Sequence, residues 1–224
     1  MDNNKKLPIV SIIFVFVAVL ALGYFLFKSS PKDLSPISSQ NSDNPSNASN
    51  VDNMHNQPNV PESDRQFNSL LGNPLPEIQL TDKDGEVYTA PDFKGKNTVL
   101  FFNEGLMCYP ACWNQMASFG SDARYNSDQV QAISVVVDSA KDWQRAIDKM
   151  PELAKATTMF DAGANASRRL GILTTRSSMH RGTLPGHTYI LLDKDAVIRF
   201  VFDDPNMAIA NDMLWGKIQK LNGN

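Results

Sequence analysis

Residues Ile9 to Phe27 run for nineteen positions without a charged side chain, with Lys5 and Lys6 before them and Lys28 and Lys32 after. At 1.5 Å rise per residue such a helix is about 28 Å long, close to the roughly 30 Å hydrocarbon core of a bilayer. The stretch predicts one membrane-spanning anchor over residues 1–28. A cleaved signal has a shorter apolar region ending in a small-x-small site. Ala21-Leu22-Gly23 could serve as that site, but the apolar run continues past it to Phe27. The lysines on the two sides balance, and the free amine adds positive charge at the N-terminus. The expected orientation therefore keeps the N-terminus in the cytoplasm and the rest of the chain outside it.

The segment after this stretch cannot build a core. Ser29 to Asp64 holds 9 Ser, 7 Asn and 5 Pro in 36 residues, with no aromatic and no Gly. Such a segment has too little apolar surface to offset its ordering entropy, so residues 29–64 are expected to form a disordered tether. The folded domain must then lie within 65–224. Its 17 Lys+Arg against 18 Asp+Glu leave no basic surplus for displacing counterions, which argues against nucleic acid as a partner. With only two cysteines in 224 residues, a multi-bridge disulfide scaffold and an all-Cys zinc or iron–sulfur site are both excluded.

The domain alternates strand-like and helical patterns. Glu77–Leu80 and Glu86–Thr89, joined by Asp82-Lys83-Asp84-Gly85, read as a hairpin. Asn97–Asn103 (NTVLFFN) is a continuous apolar run, as expected of a central strand buried on both faces. Helices are expected over Ala111–Ala123 and Ala140–Met150, with a strand over Val130–Asp138 between them. A short helix, Ala164–Leu170, is closed by Gly171 as a C-cap glycine. His187–Asp193 and Val197–Phe202 form a second hairpin. Asn206–Leu221 reads as a final amphipathic helix with Met207, Ala210, Leu214, Ile218 and Leu221 on one side, widened by Ile209 and Met213. This order predicts a three-layer α/β domain.

Both cysteines, Cys108 and Cys112, stand between the central strand and the helix after it. A thiol there lies near unpaired backbone N–H groups and the positive end of a helix dipole, which favours thiolate. A spacing of four residues places both on one face of a first helical turn. They are then near enough for a disulfide if the turn relaxes, or for two thiolates to share a metal ion. The bland alternatives are buried, unreactive packing or a structural staple. Asn103 and Glu104, just ahead of the pair, are expected to cap the turn or face solvent rather than relay protons.

Taken together, Leu71–Gly85, Phe93–Phe102, the cysteine motif and Pro185–Phe200 resemble the redoxin group, which includes AhpC/TSA-type peroxiredoxins, membrane-tethered thioredoxin-like proteins and Sco-type copper chaperones. The resemblance implies a thioredoxin-like, peroxiredoxin-like fold. It further implies an anchored thiol–disulfide oxidoreductase or peroxiredoxin-like antioxidant protein that needs no cofactor. Cys108 and Cys112 would form its redox pair, with Cys108 attacking, and a thiol electron donor or a disulfide-bearing client protein would be its partner. Pro185 would stand near the position of the family's cis-proline, and His187 near that of the peroxidatic arginine. With Trp113, these two would position substrate. Arg181 lies nearby and could stand in for the arginine. The pattern departs from both subgroups: three residues, not two, separate the cysteines, and no Thr or Ser lies between Asn103 and Cys108. The Sco-like alternative makes Cys108, Cys112 and His187 copper ligands, with Met107, Met179 and His180 as additions to a soft-metal site.

Overall fold

The computed structural model describes residues 62–223. The expected anchor at Ile9–Phe27, and the expected tether up to residue 61, lie outside the described residues. Among the described residues no helix is long and apolar enough to cross a membrane. The first described element, α1 (Glu62–Asn68), begins inside the end of the stretch read as a tether, where Phe67 is its buried anchor.

The remaining elements are β1 (Gln79–Thr81), β2 (Val87–Thr89), β3 (Asn97–Asn103), α2 (Ala111–Ser121), β4 (Val130–Val136), α3 (Ala140–Lys149), β5 (Thr157–Phe160), α4 (Asn165–Arg169), β6 (Thr188–Leu192), β7 (Ile198–Asp203) and α5 (Asn211–Leu221). The strands form one sheet in the order β2-β1-β5-β4-β3-β6-β7. β3, β4 and β5 run parallel, while β6 and β7 continue the sheet antiparallel beyond β3. Every residue of β3 is buried, which explains its unbroken apolar run: both faces are covered.

Alternation along the central strands sorts side chains into two cores. Val99, Phe101, Tyr189 and Leu191 face the layer made by α2, α3 and α5, where they meet Trp113, Met116, Trp143, Leu214 and Ile218. Leu100, Phe102, Ile190 and Leu192 face the opposite layer with Phe67, Phe93, Ala166 and Leu170. Each fully buried side chain of this size stabilises the fold by about 1.5–3 kcal/mol relative to exposure. The expected three-layer α/β arrangement is thus observed, with adjacent residues Phe101 and Phe102 serving different cores.

Boundaries differ at particular points. β5 (TTMF) was not expected. Gly171 follows α4 with φ +71°, in the left-handed conformation expected of a C-cap glycine. α5 starts at Asn211, not Asn206, because the Asp204 carboxylate accepts the N–H groups of Asn206 and Ala208, each at 2.9 Å, and holds a turn there. Ala210, Leu214 and Ile218 are buried as expected, but Ile209, Met213 and Leu221 are exposed.

Candidate active site

β3 ends at the carboxyl end of the parallel strands, where the chain must turn towards α2. Asn103 makes the turn by accepting the Gly105 N–H through Oδ1 at 2.9 Å. A single 3-10 turn, Gly105–Met107, comes next. Its Leu106 N–H donates to the Asp138 carboxylate at 3.0 Å, and the Trp113 indole N–H donates to the Gly105 carbonyl, also at 3.0 Å. Burial raises the Asp138 pKa, opposed by the bond from Leu106.

Cys108 and Cys112 are joined in a disulfide with their Cα atoms 5.4 Å apart. Cys108 lies ahead of the helix, a cis Tyr109–Pro110 peptide comes after it, and Cys112 sits in the first turn of α2. Both sulfur-bearing residues are buried, Cys108 at 3% exposure and Cys112 at 0%. Their chain neighbours Met107 and Tyr109 are exposed at 58% and 67%. The disulfide therefore lies just under a rim of displayed apolar side chains.

His187, immediately before β6, approaches the pair from the adjoining strand: its Nδ1 is 3.5 Å from the Cys112 sulfur. His187 is 1% exposed, and its ring packs T-shaped with Phe101 at 4.6 Å between centroids. Burial pushes the imidazole pKa down to about 4, against the pull of the Asp204 carboxylate. The ring's Nε2 is 2.7 Å from the Tyr189 hydroxyl, which donates to Gln115 Oε1 at 3.1 Å. Gln115 lies on α2 and reaches α5 through Asn211, whose Oδ1 accepts from it at 2.8 Å. A buried polar line thus runs from the disulfide into the helical layer.

Glu104 was expected to cap or to face solvent. It is buried at 1% exposure and accepts the backbone N–H groups of Met179 at 2.6 Å and His180 at 3.1 Å. His180, read as a soft-metal donor in the copper alternative, is thus committed to Glu104, while Met179 next to it is exposed. Asn103 is likewise buried rather than solvent-facing.

Of the residues expected to position substrate, His187 contacts the sulfur of Cys112. Trp113 is 3% exposed and packs edge-on against Tyr109 and Trp143, at 4.9 and 5.9 Å between centroids. Pro185 is buried two residues ahead of His187, but the cis proline peptide among the described residues is the one at Pro110. Arg181 is exposed and bonds the Arg176 carbonyl at 3.5 Å. The ligand atoms of Cys108, Cys112 and His187 lie within 4.8 Å of one another, so the structure does assemble the trio of the copper alternative, yet the two sulfurs are bonded to each other. Sequence reasoning missed Tyr189 and Gln115. A signal for Tyr189 was available, since residues two apart on a strand share a face and Tyr189 stands two after His187.

Beside the disulfide, Leu106, Tyr109, Trp113, Arg145, Lys149 and Met150 line a cleft of about 680 Å³. Its lining combines aromatic and apolar side chains with two cationic ones, Arg145 and Lys149.

The Redoxin family model matches residues 70–213. A chloroplastic peroxiredoxin Q of Triticum aestivum is 30% identical over 134 residues, covering 59% of this chain and 58% of the relative. A chloroplastic peroxiredoxin Q of Sedum lineare is 27% identical over 134 residues, covering 59% of this chain and 68% of the relative. The chain thus spans a little over half the length of the wheat relative. Among solved structures, Mycobacterium bovis AhpC superposes with a TM-score of 0.57 at 16% identity, covering 69% of this chain and 93% of that one. A putative thiol:disulfide interchange protein DsbE from Chlorobium tepidum superposes with a TM-score of 0.51 at 21% identity, covering 67% and 96%. These two likenesses show the fold. The copper-chaperone alternative finds no support in these matches.

Proposed function

The chain belongs to the redoxin family, and from that premise we propose that it is a membrane-anchored thiol–disulfide oxidoreductase whose redox centre is Cys108–Cys112. The observation that carries this reading is a disulfide, formed by both of the chain's cysteines, placed between the central strand and the next helix. In the reduced protein the Cys108 thiolate attacks one sulfur of a substrate disulfide. A mixed disulfide forms, and one substrate thiolate leaves. Cys112 then attacks Cys108, the second substrate thiolate leaves, and the Cys108–Cys112 bond closes. Two thiols are oxidised and one substrate disulfide is reduced, and an external thiol donor reverses the state of the pair.

Cys108 takes the attacking role because it is nearer the rim formed by Met107 and Tyr109, whereas Cys112 is wholly covered. The neighbouring cleft suits docking of the donor or client, with Tyr109 and Trp113 as its aromatic wall. Peroxide as oxidant is a second reading, favoured by the peroxiredoxin Q relatives. The stretch from Asn103 to Cys108 carries no hydroxyl side chain to steer a peroxide, so disulfide exchange is placed first. The Ile9–Phe27 stretch supplies the anchor, and the domain works outside the cytoplasm, where a disulfide persists.

Turnover of an aromatic disulfide by the full chain with a dithiol donor tests the reading. Activity abolished in Cys108→Ser supports it, and no turnover by the parent with dithiol or monothiol donors overturns it. Replacing the disulfide by hydrogen peroxide in the same assay separates the two readings.

A further inference from the structure

The hydrogen bonds that end on His187 have a fixed direction. The Ala210 backbone N–H lies 2.7 Å from Gln115 Oε1 and can only donate, so this end of the amide is the oxygen. The other end, the NH2, donates to Asn211 Oδ1 at 2.8 Å. Asn211 is oriented independently, since its own NH2 meets the Asp122 carboxylate at 2.9 Å and a carboxylate accepts. With Gln115 Oε1 unable to donate, the Tyr189 hydroxyl commits its single proton there. The same hydroxyl must then accept from His187 Nε2, 2.7 Å away.

A neutral imidazole carries one proton. Placed on Nε2, it leaves Nδ1 as a bare lone pair, and Nδ1 is the atom 3.5 Å from the Cys112 sulfur. Burial keeps the ring neutral, with its pKa near 4, although the Asp204 carboxylate and the Ala208 backbone favour protonation. On the other side of this contact, Cys112 is 0% exposed. A thiol in apolar surroundings holds its proton, so a covered cysteine that has to attack needs an acceptor beside it.

We propose that His187 Nδ1 takes the proton of Cys112 as this thiol closes the Cys108–Cys112 bond, and that Tyr189 and Gln115 hold the imidazole in the tautomer that can do so. The inference rests on the redox reading above and gives Cys112 its own base. Cys108 enters this step carrying a leaving group, the RS– of a mixed disulfide or the –OH left by a peroxide. The S–H proton of Cys112 moves to Nδ1, the new S–S bond forms, and the bond from Cys108 to the leaving group breaks with its electron pair. The proton then passes from His187 to the departing thiolate or hydroxide, giving a thiol or water. His187 is a catalytic residue in this scheme, and Tyr189 and Gln115 are positioning residues.

The test uses the reduced full chain in detergent, mixed rapidly with 5,5′-dithiobis(2-nitrobenzoate). One nitrothiobenzoate leaves when the mixed disulfide forms at Cys108 and a second when Cys112 closes the ring, so the two steps are read as two phases. In His187→Gln the ratio of second-phase to first-phase rate is expected to fall on the order of a hundredfold, the usual scale of general base catalysis. The solvent deuterium isotope effect on the second phase should vanish with it. Tyr189→Phe, which keeps the ring but removes the acceptor, should lower the same ratio less, and the ¹⁵N spectrum of His187 should change from one tautomer to a mixture. An unchanged phase ratio in His187→Gln overturns the proposal. Should that variant not fold, an unchanged ratio and an unchanged tautomer in Tyr189→Phe overturn it instead. A parent that releases no second equivalent contradicts the redox reading itself, so the two failures are distinguishable.

Discussion

Oε2 of Glu104 lies 2.8 Å from Nδ1 of His180, joining the residue after the central strand to the loop that leads into β6. The same carboxylate also accepts the backbone N–H groups of Met179 and His180. With the Ser178 hydroxyl, which donates to Oε1 at 3.4 Å, one buried acid therefore holds four donors of a loop that has no regular secondary structure.

Glu104→Ala removes the acceptor of all these donors at once. Buried donors left without partners cost about 1–3 kcal/mol, so a loss of about 3 kcal/mol is expected in urea unfolding. Amide exchange at Met179 and His180 should accelerate in the variant. A loss confined to a few tenths of a kcal/mol with unchanged exchange would show that the loop is held by other contacts.

His187 makes stability depend on pH with a definite sign. Its folded pKa is near 4, below the roughly 6.5 of an unfolded imidazole, so between those values the unfolded chain binds the extra proton. The stabilisation is complete above about pH 6.5 and is lost as pH falls towards 4, by about 3 kcal/mol. Asp138, raised by burial, adds a slope of the opposite sign at the acid end, and Asp122 and Asp193, both lowered, lose stability there. These contributions cancel in the difference between the parent and His187→Gln. The difference in unfolding free energy between the two should therefore change by about 3 kcal/mol from pH 4 to 7. A constant difference would mean that burial does not lower the imidazole pKa in the folded chain.

Gly186 stands between Pro185 and His187 where no side chain fits. A Cβ there would run into the Ser178 backbone nitrogen and the Ser177 hydroxyl. Gly186→Ala should cost about 1–3 kcal/mol through overpacking, read as a fall in Tm. Because the Ser177–Ser178 segment must move, its amide resonances should shift further than those of β7.

Most of this architecture could be read from the chain itself. NTVLFFN marked β3 to the residue because a strand buried on both faces needs an unbroken apolar run, and Cys108 and Cys112 at its end marked the site. β5 escaped because Thr157 and Thr158 supply half of its four residues and leave no visible period. α1 escaped for a similar reason, with Phe67 as the buried apolar residue of a polar stretch. The start of α5 was misplaced because Asp204 stops the chain from entering the helix early, an effect of one carboxylate on two N–H groups that hydrophobic spacing does not report. The line from His187 through Tyr189 to Gln115 joins residues 74 apart in sequence, and hydrogen-bond partners at that separation leave no pattern along the chain.

Reducing the disulfide should weaken the fold only modestly. The loop it closes is very short, and the chain-entropy relation gives about 2 kcal/mol for a loop of this size. Thermal unfolding of the oxidised parent against Cys108→Ser or the dithiothreitol-reduced parent measures it. A much larger drop would identify the bond as a structural staple rather than a reversible one.

Cys112 and His187 are separated by 75 residues. A ribosome adding roughly 5–20 residues per second needs about 4–15 s to cover that interval. During those seconds the nascent chain displays both thiols before either β6 or α5 exists to enclose them. Premature pairing at this stage gives the same bond that the finished domain contains, so an early oxidation does not misroute the chain. With no third cysteine available, the newborn polypeptide has no wrong intramolecular bridge to make.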